Sequence, residues 1–172
     1  MLAEHGYEFH IVPATVEEIA HPHYTPAEIV LENAQMKARA VAQENPTALV
    51  IGVDTIVAFE NEVFGKPSDL EAAFAMLTRL NGRTHEVYSG VCLVRGERER
   101  CFVETTHVQF HQRTDDELRR YLNRIGPLDK AGAYAAQDDR GEMIARFEGS
   151  FTNVIGLPME RLNELLRPTP VL

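Results

Sequence analysis

A chain of 172 residues, 44% hydrophobic and 25% charged, has the length and composition of one globular domain with apolar residues enough for a core. Its formal charge of −9 argues against a binder of nucleic-acid polymers, whose affinity rests on lysine and arginine at phosphates, but leaves room for a small anionic ligand in a local cationic pocket. No apolar run approaches the roughly 18 residues of a membrane span, and the N-terminus lacks the basic-then-apolar profile of a signal peptide, so the expected location is the cytoplasm and no membrane partner is expected.

Residues 1–13 read as the tail of a helix ending at Gly6, followed by a short strand, and residues 15–24 read as a polar loop. His21 and His23 form a His-Pro-His turn there, and since no helix carries histidines at i, i+4, the metal-ligand reading of the seven histidines is weak. Thr-Pro-Ala-Glu at 25–28 is a capping box with Pro26 at the first helical position, opening a helix to about Gln43. Val30, Asn33, Lys37 and Val41 share one stripe of that helix, which aims Lys37 toward the core side or lays its stem on apolar surface with its head in water.

Ala48 to Phe59 is continuous in apolar residues, as a strand covered on both faces would be. A turn at 60–62 returns the chain through Val63 and Phe64. Ser-Asp-Leu-Glu at 68–71 reads as a second capping box, with Leu70, Phe74, Leu77 and Leu80 striping a helix that ends at Asn81-Gly82. Two alternating strands follow, about 86–95 and 100–110, joined at Gly96-Glu97, and Thr114 to Glu117 caps a third helix that stops at Gly126-Pro127. Beyond an irregular segment, 142–148 and 151–157 read as a hairpin around Gly149, and Pro158 opens a last helix. Helices alternating with hairpins predict a single α/β domain over 1–172 with a mixed sheet. Cys92 and Cys101 fall on the paired strands, where a disulfide is sterically allowed but core thiols are the expectation for a cytoplasmic chain.

Asp54 interrupts the apolar strand. A buried carboxylate is paired, hydrogen-bonded or functional, and Thr55 beside it adds a second polar position. Lys66 is held between Gly65 and Pro67, and Glu17-Glu18 place two acids in a loop. In Leu128 to Tyr134, Asp129-Lys130 precede small residues that allow the backbone to approach a ligand closely, and Gln137 offers an amide to a base edge. Acids at 18 and 54 with lysines at 37 and 66 suit a polyphosphate with a divalent metal.

The runs Gly-Val-Asp-Thr-Ile-Val at 52–57, Gly-Lys-Pro at 65–67, residues 71–91, Leu-Asp-Lys-Ala-Gly-Ala-Tyr-Ala-Ala-Gln at 128–137 and Glu-Gly-Ser-Phe-Thr-Asn-Val-Ile-Gly-Leu-Pro at 148–158 resemble, in order and spacing, the Maf family of nucleoside triphosphate pyrophosphatases. The resemblance implies a mixed-sheet α/β fold related to the inosine-triphosphate pyrophosphatases, with two lobes around a cleft. It implies metal-dependent hydrolysis, by Mg or Mn, between the α and β phosphates. By the family's motifs Asp54 is the general base or metal-organising acid, Lys37 and Lys66 lie at the phosphates, Glu18 is the functional glutamate beside the metal, and Thr55 and Gln137 bear on base choice. Thr55 and the Asp129 to Tyr134 loop resemble the branch acting on dTTP and UTP rather than the one taking 7-methyl-GTP, which tends to carry glutamine after the aspartate.

The family's opening Ser-x-Ser-Pro-Arg-Arg motif has no match, so the expectation is a gene start upstream of Met1, with the N-terminal strand, the start of the first helix and the phosphate-gripping arginines missing from these 172 residues. That departure keeps a second reading open, a weakly active or non-catalytic regulator linked to septum formation. Homodimerisation is left open by the sequence.

Overall fold

The helices begin where the sequence supplies a capping side chain. The computed structural model describes residues 1–19 and 23–167, which leaves His21 of the histidine turn outside the described residues. Helix α1, Pro26–Glu44, starts on Thr25, whose hydroxyl accepts from the Glu28 N–H at 3.3 Å while the Glu28 carboxylate accepts from the Thr25 N–H at 2.8 Å. Helix α2, Leu70–Leu80, departs from expectation by one residue: Asp69 is the cap, accepting from the Ala72 N–H at 2.7 Å, and Ser68 donates to it at 3.2 Å. A carboxylate is the stronger acceptor for an orphan N–H at a positive helix end, so it displaces the hydroxyl. Helix α3, Asp115–Ile125, repeats the full capping box with Thr114 and Glu117.

The strands are β1 (Val50–Phe59), β2 (Glu62–Phe64), β3 (Thr84–Arg95), β4 (Arg98–Phe110) and β5 (Ile144–Glu148), in the order β2-β1-β3-β4-β5. The α/β class is as expected, and the strand pairing is antiparallel at every joint described rather than mixed. β1–β2 turns at Glu60-Asn61, both at positive φ as a two-residue hairpin requires.

Two sequence expectations fail locally. Residues 1–13 contain a single 3-10 turn, Ala3–His5, closed by Gly6, and no strand. The expected second arm at 151–157 is helical instead: α4, Phe151–Val154, is capped by Ser150, and α5 runs Met159–Leu166. The alternation of Phe151, Thr152, Asn153 and Val154 loses to specific polar bonds. Ser150 Oγ accepts from the Asn153 N–H at 3.0 Å, and buried Asn153 donates to the Val87 carbonyl and to Thr106 Oγ1, each at 3.0 Å.

Both faces of β1 are covered, as its continuous apolar run predicts. On one face lies α1, packed so closely that a Cβ on Gly52 would strike the Ala34 carbonyl and one on Gly90 the Val30 carbonyl. Only glycine at these two facing positions lets helix backbone rest on the sheet. The other face buries Val57, Val87, Val108 and Phe110 against Leu77, Leu80, Leu118 and Tyr134. Further along, Val91, Leu93 and Phe102 pack on Met159 and Leu162, with Met1, Leu2 and Tyr7 at the border. Cys92 and Cys101 are directly opposite in register, 4.1 Å apart at Cα, and are joined in a disulfide rather than standing as core thiols.

His85 is fully buried on the second face, edge-on to Phe110 and Tyr134, with Nε2 3.0 Å from the Tyr134 hydroxyl and Nδ1 unpartnered. Burial lowers its pKa to about 3 from the ordinary 6.5. The unfolded chain therefore binds a proton below about pH 6.5 that the native state refuses, so stability is full above that pH and falls by about 1.4 kcal/mol per unit below it. His85→Leu is expected to flatten this limb, losing about 2 kcal/mol less than the parent between pH 6.5 and 5 in urea titrations. Parallel pH profiles for the two proteins would refute the assignment.

Candidate active site

Because Gly52 and Gly90 admit α1 so closely, the first long side chains beyond the contact meet the sheet directly. Lys37 lies one turn from Ala34 and beside Ala38, and its Nζ sits 2.7 Å from Asp54 Oδ1. The same Nζ sits 2.7 Å from Glu18 Oε1, so loop, helix and strand meet at one ammonium. Asp54 is buried, Lys37 is about one-fifth exposed and Glu18 faces solvent.

The second oxygen of Asp54 accepts from Asn33 Nδ2 at 3.0 Å. Asn33 is itself buried and clamps the residue after Glu18 from both sides: its Nδ2 donates to the Ile19 carbonyl at 3.2 Å and its Oδ1 accepts from the Ile19 N–H at 2.7 Å. The acid in the apolar strand is thus fully partnered, as a buried carboxylate must be. Burial pulls the Lys37 pKa down, but hydrogen bonds and charge from Asp54 and Glu18 outweigh it and hold the ammonium above its ordinary range.

Thr55 does not join this cluster. Successive strand residues point to opposite faces, and Thr55 Oγ1 lies under the second face, 2.7 Å from Ser89 Oγ and 3.4 Å from the Gly156 carbonyl that accepts from it. Lys66 is exposed two residues past β2 and makes no ion pair with Asp54. Its neighbour Gly65 accepts from the Gly132 N–H at 3.1 Å, which ties the Gly-Lys-Pro turn to the 128–134 loop. The loop packs closely on the sheet: a Cβ on Gly132, at φ 67°, would crowd the Val57 side chain at 3.1 Å. Asp129 and Lys130 pair at 2.6 Å, and Gln137 is exposed in a 3-10 turn at Ala136–Asp138. A groove of about 400 Å3 lined by Arg113, Arg120 and Arg124 contains none of the expected residues.

Sequence reasoning missed the roles of Asn33 and Ser89. Asn33 carried a usable signal, an amide on the inward stripe of α1 one turn before Lys37. Ser89 carried none until strand register set it opposite Thr55.

Two sets of side chains invite a metal. Asp54 and Glu18 direct hard carboxylate oxygens onto one point now held by an ammonium, a donor set that suits a divalent cation of the magnesium type. Cys92, Cys101 and Glu99 also cluster, with ligand atoms within 4.8 Å of one another. They do not fit a metal: both sulfurs are consumed by the disulfide, and Glu99 is held by Arg39 at 2.8 and 2.7 Å.

A family model described as "Maf-like protein" matches residues 1–169. Among curated relatives, a protein of Caldicellulosiruptor bescii named "dTTP/UTP pyrophosphatase" is 40% identical, over 97% of this chain and 87% of that protein. Proteins of the same name from Carboxydothermus hydrogenoformans and Bacillus cereus (strain G9842) are 43% and 41% identical, over 92% and 90% of this chain and 86% and 81% of theirs.

Proposed function

The chain belongs to the Maf-like protein family, and on that premise we propose that it is a nucleoside triphosphate pyrophosphatase hydrolysing dTTP and UTP to the monophosphate and pyrophosphate. The observation that carries the reading is the convergence of Asp54, Glu18 and Lys37 at one point beside a strand edge. β2 pairs with β1 only at Val57 to Phe59, so the outer edge of Val50 to Ile56 has no partner among the described residues. Asp54 and Thr55 sit on opposite faces at that open edge, and Lys66 leaves the sheet beside it. A nucleotide lying across the edge reaches the acid and lysines with its phosphates and the Thr55 face with its base. Gln137, exposed on its 3-10 turn, is the amide proposed to read that base.

Asp54 and Glu18 are the residues proposed to hold Mg2+ or Mn2+, which when bound supplies charge neutralisation at the phosphates and a more acidic water. Lys37 and Lys66 neutralise the remaining phosphate charge, and Asp54 orients or deprotonates the attacking water. No described helix is long and apolar enough to cross a membrane, and the proposed location is the cytoplasm.

The test is a screen of canonical ribo- and deoxyribonucleoside triphosphates with the purified chain and Mg2+ or Mn2+, with pyrophosphate and orthophosphate measured separately. dTTP and UTP are expected to react fastest and to give pyrophosphate. Orthophosphate as the product would overturn the bond assignment, and a purine preference would overturn the base assignment.

A further inference from the structure

The groove lined by Arg113, Arg120 and Arg124, about 400 Å3 in volume, shares no residue with the Asp54 cluster and falls in the size range of small-molecule sites. Arg120 and Arg124 stand four residues apart on α3 and so share a face, and Arg113 joins them from just before the Thr114 cap. Glu117 and Glu142 also line the groove, so three guanidinium charges against two carboxylates leave it net positive on a chain of formal charge −9.

Both acids are already engaged. Glu117 Oε2 accepts from the Thr114 N–H at 2.8 Å and from the Thr114 hydroxyl at 2.9 Å, and Glu142 pairs with Arg124 at 2.9 Å. Arg113 is fixed at both ends. Its backbone N–H and carbonyl are gripped by the Asn81 side chain at 2.8 Å each, and its Nε and Nη2 donate to the carbonyls of Glu142 and Gly141. Its Nη1 has no acceptor among the described residues, and exposed Arg120 makes no hydrogen bond or ion pair there at all. Planar guanidinium forks with donors to spare match the oxygens of a phosphate. Arg113 and Arg120 are seven residues apart, about 10 Å along a helix axis, a span that two linked phosphates bridge better than one. We propose that this groove is a second anion site, which takes a diphosphate group, free or carried by a small molecule, between Arg113, Arg120 and Arg124.

The site adjoins the segment that carries Gln137. Tyr121 accepts from the Ala135 N–H at 3.1 Å on one side of Gln137, and Arg113 holds the Gly141 and Glu142 carbonyls on the other. An occupant that ties Arg113 to Arg120 stiffens residues 135–143 through the side chains that hold them now.

Equilibrium dialysis of radiolabelled pyrophosphate against the full chain in chelator tests this, since chelation removes the divalent ion proposed for Asp54 and Glu18. Saturable binding is expected, and Arg120→Gln, which breaks no bond of the fold, should weaken it roughly ten-fold or more. Arg119→Gln makes the same charge change on the same helix but outside the groove, where Arg119 pairs with Glu71 at 2.9 Å, and should bind as the parent does. Amide hydrogen exchange over 135–143 should slow on binding in the parent and stay unchanged in Arg120→Gln. Displacement of the label by UDP at lower concentration than by unlabelled pyrophosphate assigns the site to a diphosphate carried on a nucleoside, and the reverse order assigns it to the free anion. Absence of saturable binding overturns the proposal, as does binding indifferent to Arg120→Gln. Equal weakening in Arg119→Gln also overturns it, because it marks a general charge effect, and so does loss confined to Lys66→Gln, which places the anion at the nucleotide site. Binding that leaves exchange over 135–143 unchanged in the parent overturns it as well.

Discussion

Asp54→Asn is expected to lower kcat for dTTP hydrolysis about 1,000-fold, close to 4 kcal/mol of transition-state stabilisation, within the range a positioned acid–base group supplies. The substitution is isosteric and leaves an oxygen that can still accept from Asn33 at the site where Asp54 Oδ2 does now. What it removes is the charge facing Lys37 and the basicity available to water. Breaking a buried pair typically costs 3–5 kcal/mol, and Lys37 keeps Glu18 and partial access to water, so about 2–3 kcal/mol of stability should go as well. The two readings of Asp54 then separate cleanly. A carboxylate retained only as a structural ion pair predicts a lower Tm with the kcat of the folded protein intact. A carboxylate that acts on the substrate, water or metal predicts a collapse in kcat that persists well below Tm. Wild-type kcat in folded Asp54→Asn would remove Asp54 from the chemistry, while leaving open that the chain hydrolyses dTTP by other groups.

How far the sequence reveals this molecule depends on whether a feature is local. Two capping boxes, at Thr25 and Thr114, are legible because the side chains that end the helix lie within three residues of each other. β1 is legible because its apolar run is broken only at Asp54 and Thr55, and burial on both faces is what such a run means. Phe151 to Val154 is misread because its own alternation favours a strand, whereas its fate is decided by Val87 and Thr106, far away in the chain. The site divides in the same way. Asp54 and Lys37 stand out as polar residues on apolar stripes, and the sheet brings them within 2.7 Å. That Thr55 belongs to the opposite face follows from the two-residue period of any strand. What occupies that face, Ser89 and Gly156, depends on register and on a helix the alternation hides. Asn33 was visible on the stripe, but its meaning needed the loop at Ile19 that it grips.

The point between Asp54 and Glu18 has one occupant at a time, and Lys37→Met should show it by tightening Mn2+ binding about ten-fold in the absence of nucleotide, as read by the free-ion electron paramagnetic resonance signal. Lys37 Nζ touches Asp54 Oδ1 and Glu18 Oε1 at 2.7 Å each, so a divalent ion using both oxygens must displace the ammonium or suffer its repulsion. Proton loss does not relieve the competition under working conditions. The two carboxylates hold the Lys37 pKa above its ordinary value of 10.5, so the stabilisation they gain from it is full below that pH and fades only as pH rises through the raised native value. Lys37→Met leaves the two acids uncompensated, and the variant should be less stable than the parent in chelator. Added Mn2+ should then raise its Tm by more than it raises that of the parent, because the ion replaces the missing charge. Its turnover of dTTP should remain low with metal present, since a cation at the two acids does not restore the lysine proposed for the phosphates. Equal Mn2+ affinity in parent and variant, with equal metal-induced shifts in Tm, would mean that the metal is held elsewhere and that Lys37 closes an ion pair of the fold.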